Sequence, residues 1–234
     1  MTSTSYAMRP IASIHTAFPE KFGIPRQSGL VETRATITFE PAFADPDAVR
    51  GLSGFSHLWL LWVFSEHADV PWHTTVRPPR LGGNKRVGVF ASRAPFRPNP
   101  IGLSCVKLES VEIVPETGPV LTVLGADMKD GTPILDIKPY LSYTDCCPEA
   151  VGGFTDRNRY ELLHVSVEKE LLEHLPEEDA VALINTLAQD PRPHYQNDPS
   201  RIYGMTFAGS TVRFSVSGKV LTVHEIVDQA ARNE

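Results

Sequence analysis

The sequence offers little from which a membrane, secreted or metal-binding protein could be built. Its longest apolar run, Leu58 to Phe64, is far shorter than the roughly 20 residues that span a bilayer, and the N-terminus carries no apolar signal segment. The three cysteines have neither the number nor the spacing of a disulfide framework or a zinc site, and the eight histidines are scattered. We therefore expect a cytoplasmic protein that binds neither membrane nor metal.

The short motifs of the common nucleotide-binding and hydrolase folds are absent as well. There is no glycine fingerprint of a Rossmann site, no phosphate-binding P-loop and no nucleophile elbow. Long helical patterns are also missing from the first two thirds of the chain, where short segments rich in branched and aromatic residues alternate with turns. This favours an antiparallel barrel or sandwich over a βαβ fold. The expected strands are 11–15, 35–39, 57–64, 86–92, 105–113 and 121–124.

One short helix is expected in this part, because Asp45 can act as its N-cap, Pro46 suits its first position and Gly51 can end it. Later in the chain, apolar residues with helical spacing predict a helix over 177–188. Three strand-like segments with glycine turns follow it, at 204–207, 211–216 and 220–223.

Charge is divided unevenly between the two parts of the chain. Residues 1–159 contain 16 acidic and 16 basic side chains, whereas residues 160–234 contain 12 acidic and 6 basic ones, so the second part supplies the whole net charge of −6. Charge and pattern change at the same place, as at a domain boundary. We expect an N-terminal domain over 1–150, a linker over 151–159 and a small α+β domain over 160–234.

A local excess of positive charge stands out against this balance. No acidic residue lies between Asp69 and Glu109, and the same stretch is rich in proline and glycine. On an acidic protein, such a cluster attracts phosphates without making the whole surface bind polyanions. It predicts a shaped cationic surface that contains Arg77, Arg80, Lys85, Arg86, Arg93, Arg97 and Lys107.

The prolines of segment 93–100 exclude a regular helix or a central strand. They hold Arg93 and Arg97 in fixed directions at low entropic cost. Two interpretations stay open for this segment: a loop that positions a guanidinium against an anion, or a rigid surface turn with solvated arginines.

Two other segments have both a chemical and a structural interpretation. Asp136 lies between apolar neighbours, so it either faces the interior as a proton acceptor or ligand clamp, or it caps a turn or pairs with Lys138 or an arginine. The segment from Asp190 onward stops the C-terminal helix at a proline. Its Arg192 and Tyr195 either contact RNA by charge and stacking or serve only to close and pack the helix.

Taken together, these segments resemble the TrmO (YaeB, formerly TsaA-like) family of tRNA methyltransferases. Five ordered motifs carry the resemblance over most of the chain: FPEKFGIPRQSGLV, AVRGLSGFSHLWLLWVF, VRPPRLGGNKRVGVFASRAPFRPNPIGLS, DGTPILDIKPYLSY and AQDPRPHY. It implies a mainly β protein, with a non-Rossmann antiparallel β-barrel that binds S-adenosylmethionine and a small α+β C-terminal domain. It also implies a homodimer with the cofactor pocket near the subunit interface.

The resemblance further implies a substrate and a set of site residues. The substrate is tRNA with N6-threonylcarbamoyladenosine beside the anticodon, whose N6-methylation supports the decoding of ACY threonine codons. Candidates for tRNA phosphates, or for the threonyl carboxylate, are Arg77, Arg80, Arg86 and Arg97. The cofactor contacts carried over are Pro25, Arg26, Gln27, Ser65, Glu66, Arg93, Leu103, Asp130, Gly131, Thr132 and Pro133.

Methyl transfer to this nitrogen requires an aligned acceptor that can lose a proton. The nitrogen is conjugated to a carbonyl and a purine, so it is a poor nucleophile. A carboxylate or a tyrosinate nearby fits this need, and Asp136 and Tyr143 are the predicted catalytic residues. Two rival functions stay open on the residues alone: an S-adenosylmethionine-dependent enzyme that acts on a small molecule, and a non-catalytic RNA-binding barrel.

Overall fold

Six antiparallel strands close into a barrel in the N-terminal part of the chain. The computed structural model describes residues 5–158, 161–192 and 198–229, apart from the side chain of Arg80. Closure gives every barrel strand two neighbours, which protects the edges of the sheet. In order around the barrel, the strands are β1 (Ala12–His15), β2 (Arg34–Phe39), β7 (Gly118–Leu124), β6 (Ile101–Val114), β3 (His57–Val63) and β8 (Thr132–Pro139).

Alternation along the strands fills the barrel with apolar side chains. On β3, Leu58, Leu60 and Trp62 are buried, whereas the residues between them are more exposed. Successive side chains of a strand point to opposite faces, so one face supplies the core. A fully buried leucine contributes about 1.5–3 kcal/mol to folding. The prediction of a mainly β protein with an antiparallel barrel is confirmed.

The prediction of a strand over 86–92 is mostly wrong. Only Val87–Gly88 pairs, as β5, with β4 (Thr75–Val76), and the chain then enters a 3-10 helix over Val89–Ala91. The physical reason is Arg97, whose Nη1 donates to two backbone carbonyls of this turn and stabilises it without a strand partner. Apolar composition alone could not reveal this contact.

The short helix expected after Asp45 is present as a 3-10 helix over Pro46–Val49. The Asp45 carboxylate accepts a hydrogen bond of 2.9 Å from the backbone N–H of Asp47, as the capping prediction requires. Gly51 follows with φ 84°, a left-handed conformation that favours glycine. Further 3-10 helices cover Pro41–Phe43, Leu52–Gly54, Ser65–His67, Pro79–Leu81 and Lys169–Leu172.

The C-terminal part combines one helix with a four-stranded sheet. The helix α3 (Glu177–Ala188) has the predicted bounds. It follows two one-turn helices, α1 (Ser142–Asp145) and α2 (Phe154–Arg157). In order across the sheet, the strands are β10 (Tyr203–Phe207), β11 (Ser210–Ser217), β12 (Val220–Asp228) and β9 (His164–Ser166), of which β9 is parallel to β12.

The core of this C-terminal part includes residues from the start of the chain. Phe18 is fully buried and meets Phe207 with ring centroids 5.5 Å apart, and Phe22 stacks on Phe214 at 6.4 Å. The carbonyl of Ala17 accepts a 2.9 Å hydrogen bond from the N–H of Ala208. The segment that follows β1 therefore belongs, by its packing, to the second hydrophobic core.

Polar contacts also join the two parts. Arg26 Nη2 donates to the carbonyl of Asp190 at 2.9 Å and to that of Arg192 at 3.4 Å. Elsewhere, the guanidinium of Arg34 bridges Glu109 on β6 and Glu178 on α3. The segment after α3 is thus tied to the loop that contains Arg26.

Within the described residues, no helix has the length and apolar character needed to cross a membrane. The same ranges hold no cluster of three histidine, cysteine or acidic side chains that could bind a metal ion.

Candidate functional site

An open cleft of about 280 Å³ lies where β3 and β6 meet two loops. One loop contains Arg26 and its neighbours, and the other is the proline-rich segment that contains Arg93. The cleft brings together part of the predicted cofactor set, namely Pro25, Arg26, Gln27, Arg93 and Leu103. These residues are far apart in sequence and meet only because the barrel closes.

A direct hydrogen bond connects the two loops across the cleft. Arg93 Nη1 donates to Gln27 Oε1 at 2.6 Å, and Gln27 Nε2 donates to the carbonyl of Arg26. Arg26 is in turn bound to the segment after α3. A charge-assisted hydrogen bond is stronger than a neutral one, so this chain of contacts holds both guanidinium groups at the cleft.

The wall of the cleft contains a polar network that the sequence analysis did not single out. Trp62 Nε1 donates to Ser104 Oγ at 3.0 Å, and Ser104 Oγ donates to Asp127 Oδ1 at 2.5 Å. Ser104 is fully buried, whereas the largely buried Trp62 and Asp127 both line the cleft. Asp127 lies between buried Ala126 and Met128, the same apolar setting that drew attention to Asp136.

Burial raises the pKa of the Asp127 carboxyl above its ordinary value. The hydrogen bond from Ser104 and the charge of Arg93 act in the opposite direction but are smaller effects. A partly desolvated carboxylate in a cleft is a feature of functional sites.

Gly102 is needed for this wall to form. A Cβ at this position would lie 2.2 Å from Cε2 of Trp62, which is closer than any real contact. The absent side chain lets the indole ring pack flat against β6 and reach Ser104. The ring also contacts Phe64, with centroids 4.3 Å apart.

Two of the other predicted cofactor contacts, Glu66 and Asp130, lie in a polar patch with Lys21 and Lys129. Glu66 binds Lys21 at 2.7 Å and Lys129 at 2.5 Å, and these hydrogen bonds lower its pKa to about 2. Asp130 Oδ1 accepts from the N–H of Thr16 at 3.0 Å. None of Ser65, Glu66, Asp130, Gly131, Thr132 or Pro133 lines the cleft.

The two predicted catalytic residues lie outside the cleft. Of the two interpretations of Asp136, the structure favours the structural one, because its side chain is 44% exposed and pairs with Lys138 at 2.8 Å. It also accepts a 2.9 Å hydrogen bond from the N–H of Ile137. Tyr143 is 85% exposed on the one-turn helix α1.

The predicted RNA-binding residues differ in their settings. Arg77 is exposed, and Arg86 is exposed with a 2.9 Å hydrogen bond to Thr75 Oγ1. Arg97 lines the cleft and is bound to backbone carbonyls of the 3-10 turn. The side chain of Arg80 and the whole of Tyr195 lie outside the described residues.

Arg192 is not presented to a partner as predicted. It is 9% exposed, and its Nε and Nη2 donate to the two carboxylate oxygens of Asp190 at 2.8 and 2.9 Å. A bidentate pair of this kind occupies the guanidinium. For Arg192, the geometry supports the structural interpretation.

Two family profiles cover most of the chain. The profile described as the tRNA-methyltransferase O N-terminal domain matches residues 13–146, and the TrmO C-terminal domain matches residues 161–229. The chain belongs to the TrmO family. The chain is also similar to the tRNA (adenine(37)-N6)-methyltransferase of Escherichia coli K12, with 41% identity over 224 residues, 92% of this chain and 94% of the relative.

Other members of the TrmO family are similar over most of their length. The tRNA (adenine(37)-N6)-methyltransferase of Eikenella corrodens is 42% identical over 173 residues, which is 74% of this chain and 97% of the relative. The crystal structure of TrmO from Pseudomonas aeruginosa superimposes with a TM-score of 0.76 at 32% identity, and covers 96% of this chain and all of its own. The predicted family, fold class and enzyme class, a tRNA (adenine-N6)-methyltransferase, are confirmed.

Proposed function

We propose that this TrmO-family protein transfers a methyl group from S-adenosylmethionine to N6 of N6-threonylcarbamoyladenosine at position 37 of tRNA, in threonine tRNAs that decode ACY codons. The observation that carries this proposal is the cleft, which brings cationic, anionic and apolar groups together in one small space. It lies on a barrel that matches the N-terminal domain of the TrmO family. The names of the Escherichia coli and Eikenella corrodens relatives supply the adenine and its position.

The residues of the cleft fit the proposed cofactor. The guanidinium groups of Arg26 and Arg93 suit its amino-acid carboxylate. Trp62, Phe64 and the 51% exposed Leu103 offer apolar surface to the adenine. When bound, S-adenosylmethionine supplies an electrophilic methyl carbon; the protein aligns the acceptor nitrogen with it and must remove a proton.

The neighbouring patch that contains Glu66 and Asp130 also belongs to our proposed cofactor site. Because it does not line the cleft of one subunit, we propose that a homodimer brings the patch of a second copy close to it. The support for this arrangement is that the predicted cofactor contacts fall in two separate places on one subunit. Light scattering of the purified protein tests it directly, and a monomer at all concentrations would contradict it.

We further propose that the exposed cations between β4 and β5 contact tRNA phosphates; Arg77, directly after β4, is the first of them. We also propose that the protein works in the cytoplasm. Arg97 at the cleft suits the carboxylate of the threonyl group. The positively charged stretch on an acidic protein supports this division.

The test is methylation of tRNA from a strain that lacks this gene. Purified protein and S-adenosylmethionine are added, the tRNA is digested, and nucleoside masses are measured. We expect methylated threonylcarbamoyladenosine with the wild type and little or none with Arg93→Ala. Arg50→Ala, which removes an exposed arginine far from the cleft in sequence, is the control. Cofactor binding without any tRNA methylation would instead indicate an enzyme that acts on a small molecule.

A further inference from the structure

Asp127 is the one carboxylate among the described residues that line the cleft. It follows β7 and precedes β8, and its side chain reaches the cleft between Trp62 and the two arginine-bearing loops. Neither Asp136 nor Tyr143 lines this space. A proton acceptor for a reaction in the cleft must lie within hydrogen-bond reach of the proton that it removes, and Asp127 is the described carboxylate that is placed in that space.

The orientation of Asp127 is fixed by donors on two barrel strands. Ser104 on β6 donates to Oδ1, and Trp62 on β3 donates to the hydroxyl oxygen of Ser104 at 3.0 Å. The donation from Trp62 leaves the hydroxyl hydrogen of Ser104 directed at the carboxylate. Backbone N–H groups, including that of Ser28, also contribute hydrogen bonds. The network thus fixes the orientation of the carboxylate at the wall of the cleft.

We propose that Asp127 is a catalytic residue, which accepts the proton of the substrate N6 nitrogen as the methyl group is transferred. The inference rests on the proposed function. The new N–C bond forms while the bond between the methyl carbon and sulfur breaks, and its electron pair goes to sulfur to give the neutral thioether. The N6 proton passes to the Asp127 carboxylate, which becomes the neutral acid and later releases the proton to water.

The electrostatic setting of Asp127 is consistent with this role. Desolvation makes its carboxylate a stronger base than an exposed aspartate, and Ser104 and Arg93 keep the charged form accessible. Among the described residues, the other charged groups that line the cleft are Arg26 and Arg97, both cations. Ser104 and Trp62 are positioning residues, since they act through Asp127.

The experiment compares Asp127→Asn with the wild type at saturating tRNA and S-adenosylmethionine. We expect kcat to fall by about 10²–10⁴-fold, the usual contribution of general acid–base catalysis, while the Kd for S-adenosylmethionine, measured by calorimetry, changes less than about threefold. Asp127→Glu is expected to recover part of kcat. Asp47→Asn, an exposed aspartate paired with Arg50, is the matched control with unchanged kcat.

The pH profile separates a proton acceptor from a structural carboxylate. In the wild type, kcat should fall as the pH falls through the pKa of Asp127, because only the carboxylate accepts a proton. Ser104→Ala removes a hydrogen bond that lowers this pKa, so the acidic limb should move to higher pH. Ser110→Ala, on the same strand and bound to Glu112, should leave the limb in place.

Two results would overturn the inference. If Asp127→Asn loses cofactor affinity and regains wild-type kcat at saturating S-adenosylmethionine, Asp127 is a cofactor contact. If kcat is unchanged throughout, another group accepts the proton. In both cases the proposed function still holds if the wild type methylates tRNA. If the wild type does not methylate intact tRNA substrate, the proposed function and this inference are both overturned.

Discussion

Gly102 shows how a single residue controls the shape of the cleft. Its missing Cβ makes room for Trp62, and Trp62 is the donor that orients Ser104 towards Asp127. A change that moves the indole ring therefore reaches the carboxylate through two hydrogen bonds. The neighbouring Leu103 faces outward and has no such role.

We expect Gly102→Ala to lower the free energy of unfolding by about 1–3 kcal/mol, the usual cost of overpacking a filled site. It should also weaken S-adenosylmethionine binding, because the displaced indole ring would enter the cleft. Urea unfolding and calorimetry measure the two effects. The control is Gly204→Ala on β10, where an added Cβ meets no atom within 4 Å. Equal stability of the two variants would contradict this account of Trp62.

Among the elements, the loop between β4 and β5 concentrates exposed positive charge. Gly82 and Gly83 have φ of 70° and 71°, so the loop turns through two successive left-handed residues. Arg77 lies just after β4, and Lys85 is exposed near the end of the loop. A short strand pair thus presents cations on a turn of defined shape.

The double variant Arg77→Gln with Lys85→Gln should weaken tRNA binding and reduce its salt dependence. Each phosphate contact that is lost should lower the slope of log K against log salt concentration by about 0.7–0.9. Binding measured over a series of KCl concentrations gives this slope. Lys169→Gln removes an exposed cation from the C-terminal part and serves as control. An unchanged slope in the double variant would show that the loop does not contact phosphates.

At this scale the sequence predicted elements well where burial alternates along a strand. β3 has this pattern, and so do β10 and β11; the strands β10, β11 and β12 begin within one residue of their predicted starts, whereas β9 was not predicted. The helix α3 was predicted with the correct bounds. The wrong strand at 86–92 and the omission of β8 both come from contacts made outside the segment. Arg97 stabilises the 3-10 turn, and the closure of the barrel pairs β8 with β1 and β3. The importance of Asp127 depends on Ser104 and Trp62, which are distant in sequence, although its apolar neighbours were a usable signal.

In the whole molecule, the two parts are connected at a buried ion pair in the C-terminal part, because Arg26 of the N-terminal part donates to the backbone carbonyls of both its members. Arg192 and Asp190 bind each other with side chains that are 10% and 18% exposed, and their carbonyls accept from Arg26 at the cleft. The hydrogen bond to Asp190 raises the pKa of Arg192, so the guanidinium stays charged. Removing one partner of such a pair leaves the other charge without compensation.

Arg192→Met should destabilise the protein by about 1–3 kcal/mol. The double variant Arg192→Met with Asp190→Asn should be less destabilised than the single one, because no buried charge is left unpaired. Asparagine also tolerates the left-handed backbone of residue 190, where φ is 52°. Urea unfolding of the three proteins tests this order. A double variant that is less stable than Arg192→Met would contradict it.

The insertion of Phe18 and Phe22 into the second core has a consequence for biosynthesis. Both residues leave the ribosome early, whereas Phe207 and Phe214, which cover them, are made near the end of the chain. The barrel can close before the second core exists, but the rings of Phe18 and Phe22 stay exposed to solvent until β10 and β11 are synthesised. A nascent chain stalled before that point would expose an apolar segment that chaperones can bind. The C-terminal part expressed alone would lack two aromatic residues of its hydrophobic core.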